Sequence, residues 1–131
     1  GGRVAFTCWG DVMGSPGGWM LAPLLWAGAD ELAHQVEMIS PAQPGAGEGL
    51  LADHGFEPGE RVTVPFFWEF PDPAGFARTI ASTGPAYLAI QEIGLEEFLH
   101  RAEQLASPLV REGLPLRGEV DVIAFFGTRR T

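Results

Sequence analysis

The sequence predicts an α/β domain in which three strands share one sheet and helices surround it. Three runs rich in β-branched and aromatic residues have strand character, at residues 3–9, 61–70 and 119–128. The segments between them carry apolar residues at helical spacing, most clearly at residues 95–110. Strands and helical segments that follow one another in this way are typical of layered α/β or α+β proteins.

Length and charge limit the functions that this chain can have. Its 131 residues suffice for one compact domain and are too few for two. The 17 acidic and 8 basic side chains leave a net charge of -9, which repels phosphate backbones and anionic lipid head groups. Neither nucleic acid nor a membrane surface is therefore expected as a partner. Every basic side chain is Arg, which excludes Schiff-base and P-loop lysine chemistry.

The first part of the chain contributes one strand and two predicted helices. The strand at residues 3–9 is apolar on both sides, so both of its faces are expected to be covered. After a loop rich in Gly and Pro, residues 19–32 are predicted to form a helix in spite of Pro23. Residues 48–54 form a short predicted helix, which Gly55 ends in the position that favours a left-handed backbone.

The second strand, residues 61–70, is predicted to lie at an edge of the sheet. It contains Pro65, which cannot donate a hydrogen bond to a neighbouring strand. Asp72 and Pro73 follow it, and these are the residue types that favour a helix cap and the first helical position. They predict a helix that ends at about Ser82.

Two more helices are predicted before the last strand. They lie at residues 85–92 and 95–110, and the second has the clearest helical periodicity in the chain. The last strand, residues 119–128, leads into a polar tail, and no internal repeat is visible.

Four segments carry a resemblance to a known family. Residues 1–10 (GGRVAFTCWG) are similar to a strand that follows a Pro-Gly-Gly turn and ends in Trp. Residues 62–76 resemble the next strand and its "Pro-Asp-Pro, then aromatic" helix start, and residues 50–56 and 119–130 extend the match. In these features the sequence resembles the C-terminal half of a class I S-adenosylmethionine-dependent methyltransferase of the type that modifies small molecules.

The resemblance implies both a fold and an activity. Residues 1–131 would be a single partial domain, the substrate-side half of a Rossmann-like methyltransferase domain. The implied sheet is mixed and three-stranded, with the last strand antiparallel in the middle. S-adenosylmethionine would bind to the N-terminal half of the intact enzyme, so no cofactor is expected to bind this chain alone. The intact enzyme would methylate a small, apolar metabolite.

Four residues are candidates for contact with the methyl acceptor. Trp9 and Asp11 lie at the end of the first strand, and ligands of open α/β sheets bind at that edge. Trp19 and Tyr87 lie in segments that, by the resemblance, close over the acceptor. Packing in the core is the alternative for each aromatic side chain. No catalytic base is assigned.

Neither a metal site nor a reactive thiol is predicted. His34, His54 and His100 are far apart in the sequence. Cys8 lies inside a strand without a basic neighbour, and it is expected to be a small buried apolar group. A single Cys cannot form an intrachain disulfide, and the sequence has no visible targeting or membrane-spanning pattern, so a cytoplasmic protein is expected.

Two other functions stay open. The chain could be a stand-alone module that binds a small ligand or dimerises, with strand 3–9 pairing with a second copy. It could also be a miniature cofactor-binding enzyme, in which Gly45 to Gly49 form a phosphate-binding turn and Glu69 binds a ribose. Such a turn needs a strand that runs directly into it, and residues 40–44 do not have strand character.

Overall fold

The computed structural model describes residues 1–12, 14–26 and 40–131. The strands in this part of the chain are β1 (Arg3–Trp9), β2 (Phe56–Pro58), β3 (Val62–Phe70) and β4 (Leu116–Arg129). The α-helices are α1 (Ala46–Asp53), α2 (Pro73–Ala81), α3 (Ala86–Ile93) and α4 (Leu95–Ala106). Short 3-10 helices lie at Gly18–Leu25, Ser40–Ala42 and Ser107–Leu109.

β4 is the central strand of the sheet and pairs antiparallel with the other three strands. Trp9 lies opposite Val122 on one side of β4, and Phe70 lies opposite Leu116 on the other. β2 pairs with the end of β4 on the same side as β3. β1 and β3 therefore run in the same direction, with β4 antiparallel between them.

The prediction that the last strand lies antiparallel in the middle is confirmed by these pairings. The strand count was wrong: the described sheet has four strands rather than three. The extra strand, β2, continues the row of hydrogen bonds because the N–H of Gly59 donates to the carbonyl of Phe126. The description of the sheet as mixed was also wrong, since all of its described pairings are antiparallel.

The edge position predicted for β3 from Pro65 is confirmed. Among the described strands, β3 pairs with β4 alone, so β3 is an edge strand. Pro65 lies opposite Asp121, and because Pro has no backbone N–H, it leaves a gap in the row of hydrogen-bond donors of the strand. Most side chains of β3 are exposed, including Val62, Val64 and Phe67.

The larger core covers one face of the sheet at the start of β4. Leu116 and Val120 point to this face and belong to one buried cluster with residues of the 3-10 helix Gly18–Leu25 and of α2, α3 and α4. Phe76 of α2 and Phe98 of α4 are fully buried there, because their helices turn apolar stripes toward the sheet. The ring centres of Phe70 and Phe76 are 5.1 Å apart.

A smaller core covers the opposite face at the other end of β4. Ile123 and Phe125 are buried against Leu51 of α1, and the ring of Phe6 stacks on that of Phe125 at 4.9 Å. Successive residues of a strand point to opposite faces, so β4 contributes even-numbered residues to the first core and odd-numbered residues to the second.

The expectation that both faces of β1 are covered was wrong for Ala5 and Thr7, which are exposed. The larger core lies over the first half of β4, whereas Ala5 and Thr7 pair with its second half.

The predicted helices differ from the structure mainly near prolines. Over its described part, the helix predicted at residues 19–32 is the 3-10 helix Gly18–Leu25, because Pro23 has no N–H to donate within an α-helix. Residues 27–32 of that prediction lie outside the described residues. α4 ends at Ala106 rather than at Val110, because Pro108 follows in a 3-10 turn.

The remaining helix predictions are confirmed. Asp72 caps α2 by accepting a hydrogen bond from the backbone N–H of Gly75 at 2.6 Å, and Ser82 ends the helix. Gly55 follows α1 with a φ of 82°, in the left-handed region that favours Gly. α3 occupies the position predicted for it, one residue later at each end.

Arg61 joins α1 to the sheet. Its Nε and Nη2 atoms each donate to the carboxylate of Glu48 at 2.6 Å, and Nη1 donates to the carbonyl of Ala42 at 3.0 Å. The guanidinium also lies over the ring of Phe125, 4.9 Å from its centre. The hydrogen bonds from Arg61 lower the pKa of the Glu48 carboxyl below its ordinary value of 4.5.

The Glu48→Gln variant is expected to lose less stability in acid than the wild type. The pKa of Glu48 is lower in the folded chain, so the ion pair stabilises the fold above pH 4.5 and this contribution is lost as the pH falls below that value. Thermal midpoints measured from about pH 7 to about pH 3 should converge for the two proteins. A difference that stays constant over this range would contradict the prediction. Glu103→Gln, on the exposed side of α4, is the control.

Candidate functional site

Trp9 ends β1 and belongs to a row of aromatic rings on one face of the sheet. The ring centre of Trp9 is 5.7 Å from that of Phe66 and 5.8 Å from that of Trp68, both in edge-on geometry. The three side chains share a face because β1 and β3 pair with β4 in compatible registers. Trp9 is half-buried and packs against the larger core.

The chain turns sharply after β1 in the Asp11 loop, of which residues 10–12 and 14–17 are described. The Oδ1 atom of Asp11 accepts a hydrogen bond from the backbone N–H of Gly14 at 3.0 Å, which stabilises the turn.

The Asp11 loop is attached to β4 at both of its ends. The N–H of Gly10 donates to the carbonyl of Asp121 at 2.7 Å, and the N–H of Gly17 donates to that of Glu119 at 2.8 Å. This double attachment holds the loop at the edge where β1 and β3 end. That edge is where ligands bind in open α/β sheets.

Three cavities border the Asp11 loop, and one of them, of about 340 Å³, lies between residues 10–12 and 42–44. The other two lie against β4. The larger has a volume of about 530 Å³. Its lining includes Pro16, Trp19, Glu69, Arg111, Arg117 and Glu119. The smaller has a volume of about 260 Å³ and an acidic lining that includes Asp11, Glu119 and Asp121. Across the described ranges, no group of three His, Cys, Asp or Glu side chains is placed to hold a metal ion.

The structure brings two of the four candidate residues to these cavities. Asp11 is exposed in the smaller one, and Trp19 is half-buried in the wall of the larger one. The ring of Trp19 packs 4.9 Å from that of Phe76, which fixes its position. Tyr87 is 61% exposed on α3 and lines neither cavity, whereas Trp9 packs on the sheet nearby.

Three charged residues of the larger cavity were not singled out from the sequence. Arg117 lies over the ring of Phe67 at 4.0 Å and 3.8 Å from the carboxylate of Glu69. Arg111 comes from the turn before β4, and Glu119 from β4 itself. The alternation of β4 could have indicated that residues 117 and 119 share a face, but no sequence pattern places Arg111 beside them.

Cys8, His54 and His100 lie in separate parts of the described structure. Burial raises the pKa of the Cys8 thiol, and Arg61, which is near it in space though not in sequence, lowers it by less. The Nδ1 atom of His54 lies 2.9 Å from the carbonyl of Leu50 at the end of α1, and His100 is exposed on α4. His34 lies outside the described residues.

Of the glycines at residues 45–49, Gly47 allows α1 to pack closely on the sheet. The 3-10 helix Ser40–Ala42 precedes them, and no strand of the described chain runs into the turn. A Cβ atom on Gly47 would overlap the ring of Phe125. A phosphate-binding role for the turn is therefore not supported by its surroundings.

The Gly47→Ala variant is expected to lower the free energy of unfolding by about 1–2 kcal/mol, because the added methyl group has to displace a buried ring. Gly49→Ala is the matched control in the same helix. Nothing lies within 4 Å of its Cβ position, so this change should raise stability by up to about 1 kcal/mol. Denaturant unfolding of both variants measures the difference. Equal effects would contradict the packing role of Gly47.

Comparisons with known proteins add no functional assignment. No protein-family model matches the chain, and no curated protein matches it. Within the described ranges, no helix is both long and apolar enough to cross a lipid bilayer. The fold and the two cavities therefore carry the functional inference.

Proposed function

We propose that this chain is the substrate-side portion of an S-adenosylmethionine-dependent methyltransferase that acts on a small, apolar metabolite. The observation that carries the proposal is the strand order, with β4 antiparallel between β1 and β3. This is the order that the resemblance of residues 1–10 and 62–76 implies for the end of such a sheet. The short β2 extends that arrangement without changing it.

The position of the cavities supports the same proposal. β1 and β3 run in the same direction, and both cavities lie at the edge where these strands end. An acceptor bound there would lie against the ring of Trp19, which Phe76 holds in place. Methyl transfer depends mainly on alignment of the donor with the attacking atom, so a rigid acceptor site is what this half would contribute.

The glycine-rich turn at residues 45–49 lacks the free backbone N–H groups that a methyl-donor site would need. Gly47 packs on the ring of Phe125, and the N–H groups of Ala46 and Gly49 donate to the carbonyls of Gln43 and Gly45. The donor would accordingly bind outside this chain, which alone would be inactive. The role of these residues is to bind and orient the acceptor and to exclude water from it.

Calorimetric titration tests the proposal. S-adenosylmethionine added to residues 1–131 should produce no binding heat, and micromolar affinity would contradict the half-domain assignment. A longer protein that includes whatever residues the gene encodes before Gly1 should bind S-adenosylmethionine. If it does not, the methyltransferase assignment fails. Trp19→Ala in that protein should leave donor binding unchanged.

A second candidate function is dimerisation through β1. Among the described strands β1 pairs only with β4, so its other edge is unpaired. β1 has no Pro to block pairing with a further strand, unlike β3. Sedimentation of residues 1–131 at increasing concentration tests this candidate. A monomer at every concentration would contradict it.

We further propose a cytoplasmic location. Cys8 is a free and half-buried thiol, and a reducing compartment would keep it free. Fractionation of cells that express the full-length protein would place it with cytoplasmic enzymes.

A further inference from the structure

The larger cavity combines apolar walls with charged groups. Trp19, Leu109 and Leu114 contribute apolar surface, and the volume of about 530 Å³ suits a small organic molecule. Leu109 and Leu114 are 44% and 62% exposed, so both present apolar surface at the cavity. A ligand with an apolar body would cover part of this surface.

Arg111 lines the cavity, and its exposed side chain has no partner among the described residues. Its backbone carbonyl accepts from the N–H of Leu114 at 3.2 Å, and Gly113, with a φ of 75°, closes the turn that presents it. Within the described part of the chain, the Arg111 side chain makes neither a hydrogen bond nor an ion pair. Arg117, by contrast, is already engaged by Glu69 and the ring of Phe67. Arg111 is thus the cation of this cavity that is available to a ligand.

The charges around Arg111 restrict what it can bind. A guanidinium binds a carboxylate through two parallel hydrogen bonds, an arrangement that a neutral group cannot match. The carboxylate of Glu119, which also has no ion pair among the described residues, lines the same cavity, and the adjacent smaller cavity adds Asp11 and Asp121. A second negative group on the ligand would be repelled by these carboxylates. The geometry therefore favours one carboxylate on an otherwise uncharged or cationic molecule.

We propose that this cavity binds a small aromatic or aliphatic monocarboxylate, with its carboxylate on Arg111 and its apolar body against Trp19. The identification of this ligand as the methyl acceptor rests on the proposed function, and it adds one carboxylate to the otherwise apolar acceptor proposed there. Binding itself depends only on residues of this chain, so it can be measured without the methyl donor.

Titration with a matched pair of probes tests the proposal. The probes are 3-phenylpropionate and its neutral amide, 3-phenylpropanamide, added to residues 1–131 and followed by ligand-observed NMR. The acid should bind about tenfold more tightly than the amide, because its hydrogen bonds to Arg111 are charge-assisted. Arg111→Gln should remove this preference and leave the affinity of the amide unchanged. Trp19→Ala should lower the affinity for both probes by the same factor.

The controls separate this proposal from loss of structure and from the methyltransferase assignment. Arg130→Gln removes the same charge from the polar tail, and it should keep the preference for the acid. A thermal midpoint of Arg111→Gln equal to that of the wild type shows that the fold is retained. Equal binding of acid and amide, binding of neither, or an acid preference that survives Arg111→Gln would overturn the proposal. Those results would not affect the test of donor binding. That test decides the methyltransferase assignment separately.

Discussion

Replacement of Phe76 by Ala is expected to lower the free energy of unfolding by about 3–5 kcal/mol. The ring is fully buried between α2 and the sheet. Its centre is 5.1 Å from that of Phe70 and 4.9 Å from that of Trp19. Its removal leaves a cavity that neither neighbour can fill without losing its own contacts, so the cost includes both lost burial and empty space.

Urea unfolding followed by circular dichroism measures this loss. Tyr87→Ala is the matched control, because Tyr87 is an aromatic residue on the neighbouring helix α3 that is 61% exposed. It should change stability by less than about 0.5 kcal/mol. If Phe76→Ala cost as little as the control, the description of the larger core would be wrong. Phe76→Ala should also weaken the binding of ligands that contact Trp19, because it removes the ring against which the Trp19 side chain packs.

The Gly17→Ala variant is expected to detach the Asp11 loop from β4, at a cost of about 3 kcal/mol. A Cβ atom on Gly17 would overlap the backbone of Gly118 and Glu119. A flexible side chain could move aside, but the backbone of the central strand is held by hydrogen bonds on both of its edges. The hydrogen bond from Gly17 to Glu119, at 2.8 Å, would be lost as well.

Two measurements check this variant. Its unfolding free energy should fall, and 3-phenylpropionate should bind more weakly, since the loop carries Pro16 in the cavity wall. Gly84→Ala is the control, because nothing lies within 4 Å of its Cβ position. That change should alter stability by less than about 0.5 kcal/mol. Normal stability together with normal probe binding in Gly17→Ala would refute the tight attachment of the loop.

The strand arrangement could be predicted where a residue type restricts the backbone. Pro65 lacks a donor, which limits β3 to an edge, and Asp72 with Pro73 marks the start of α2. β2 could not be predicted in this way. Its three residues, Phe56–Pro58, have the composition of a turn, and their pairing depends on the position of the end of β4.

The candidate site was only partly visible in the sequence. Asp11 was predicted because ligands bind at the ends of strands in α/β sheets, and Trp19 because the resemblance places its segment over the acceptor; both line these cavities. Arg111 was not, because its turn has neither periodicity nor a motif, and its position depends on how α4 ends and β4 begins. Contacts set by packing between distant segments leave no local pattern.

The central position of β4 also determines the order in which the sheet can assemble. β4 is the last of the described strands to leave the ribosome, yet it forms every described pairing of β1, β2 and β3. Until residues 116–129 have been synthesised, those three strands lack their native partner. β1, which is apolar and contains no Pro, then stays unpaired, and an unpaired strand of that kind is prone to aggregate. Translation that stops before β4 would release a chain unable to build this sheet, and such a chain would be a substrate for chaperones or proteases.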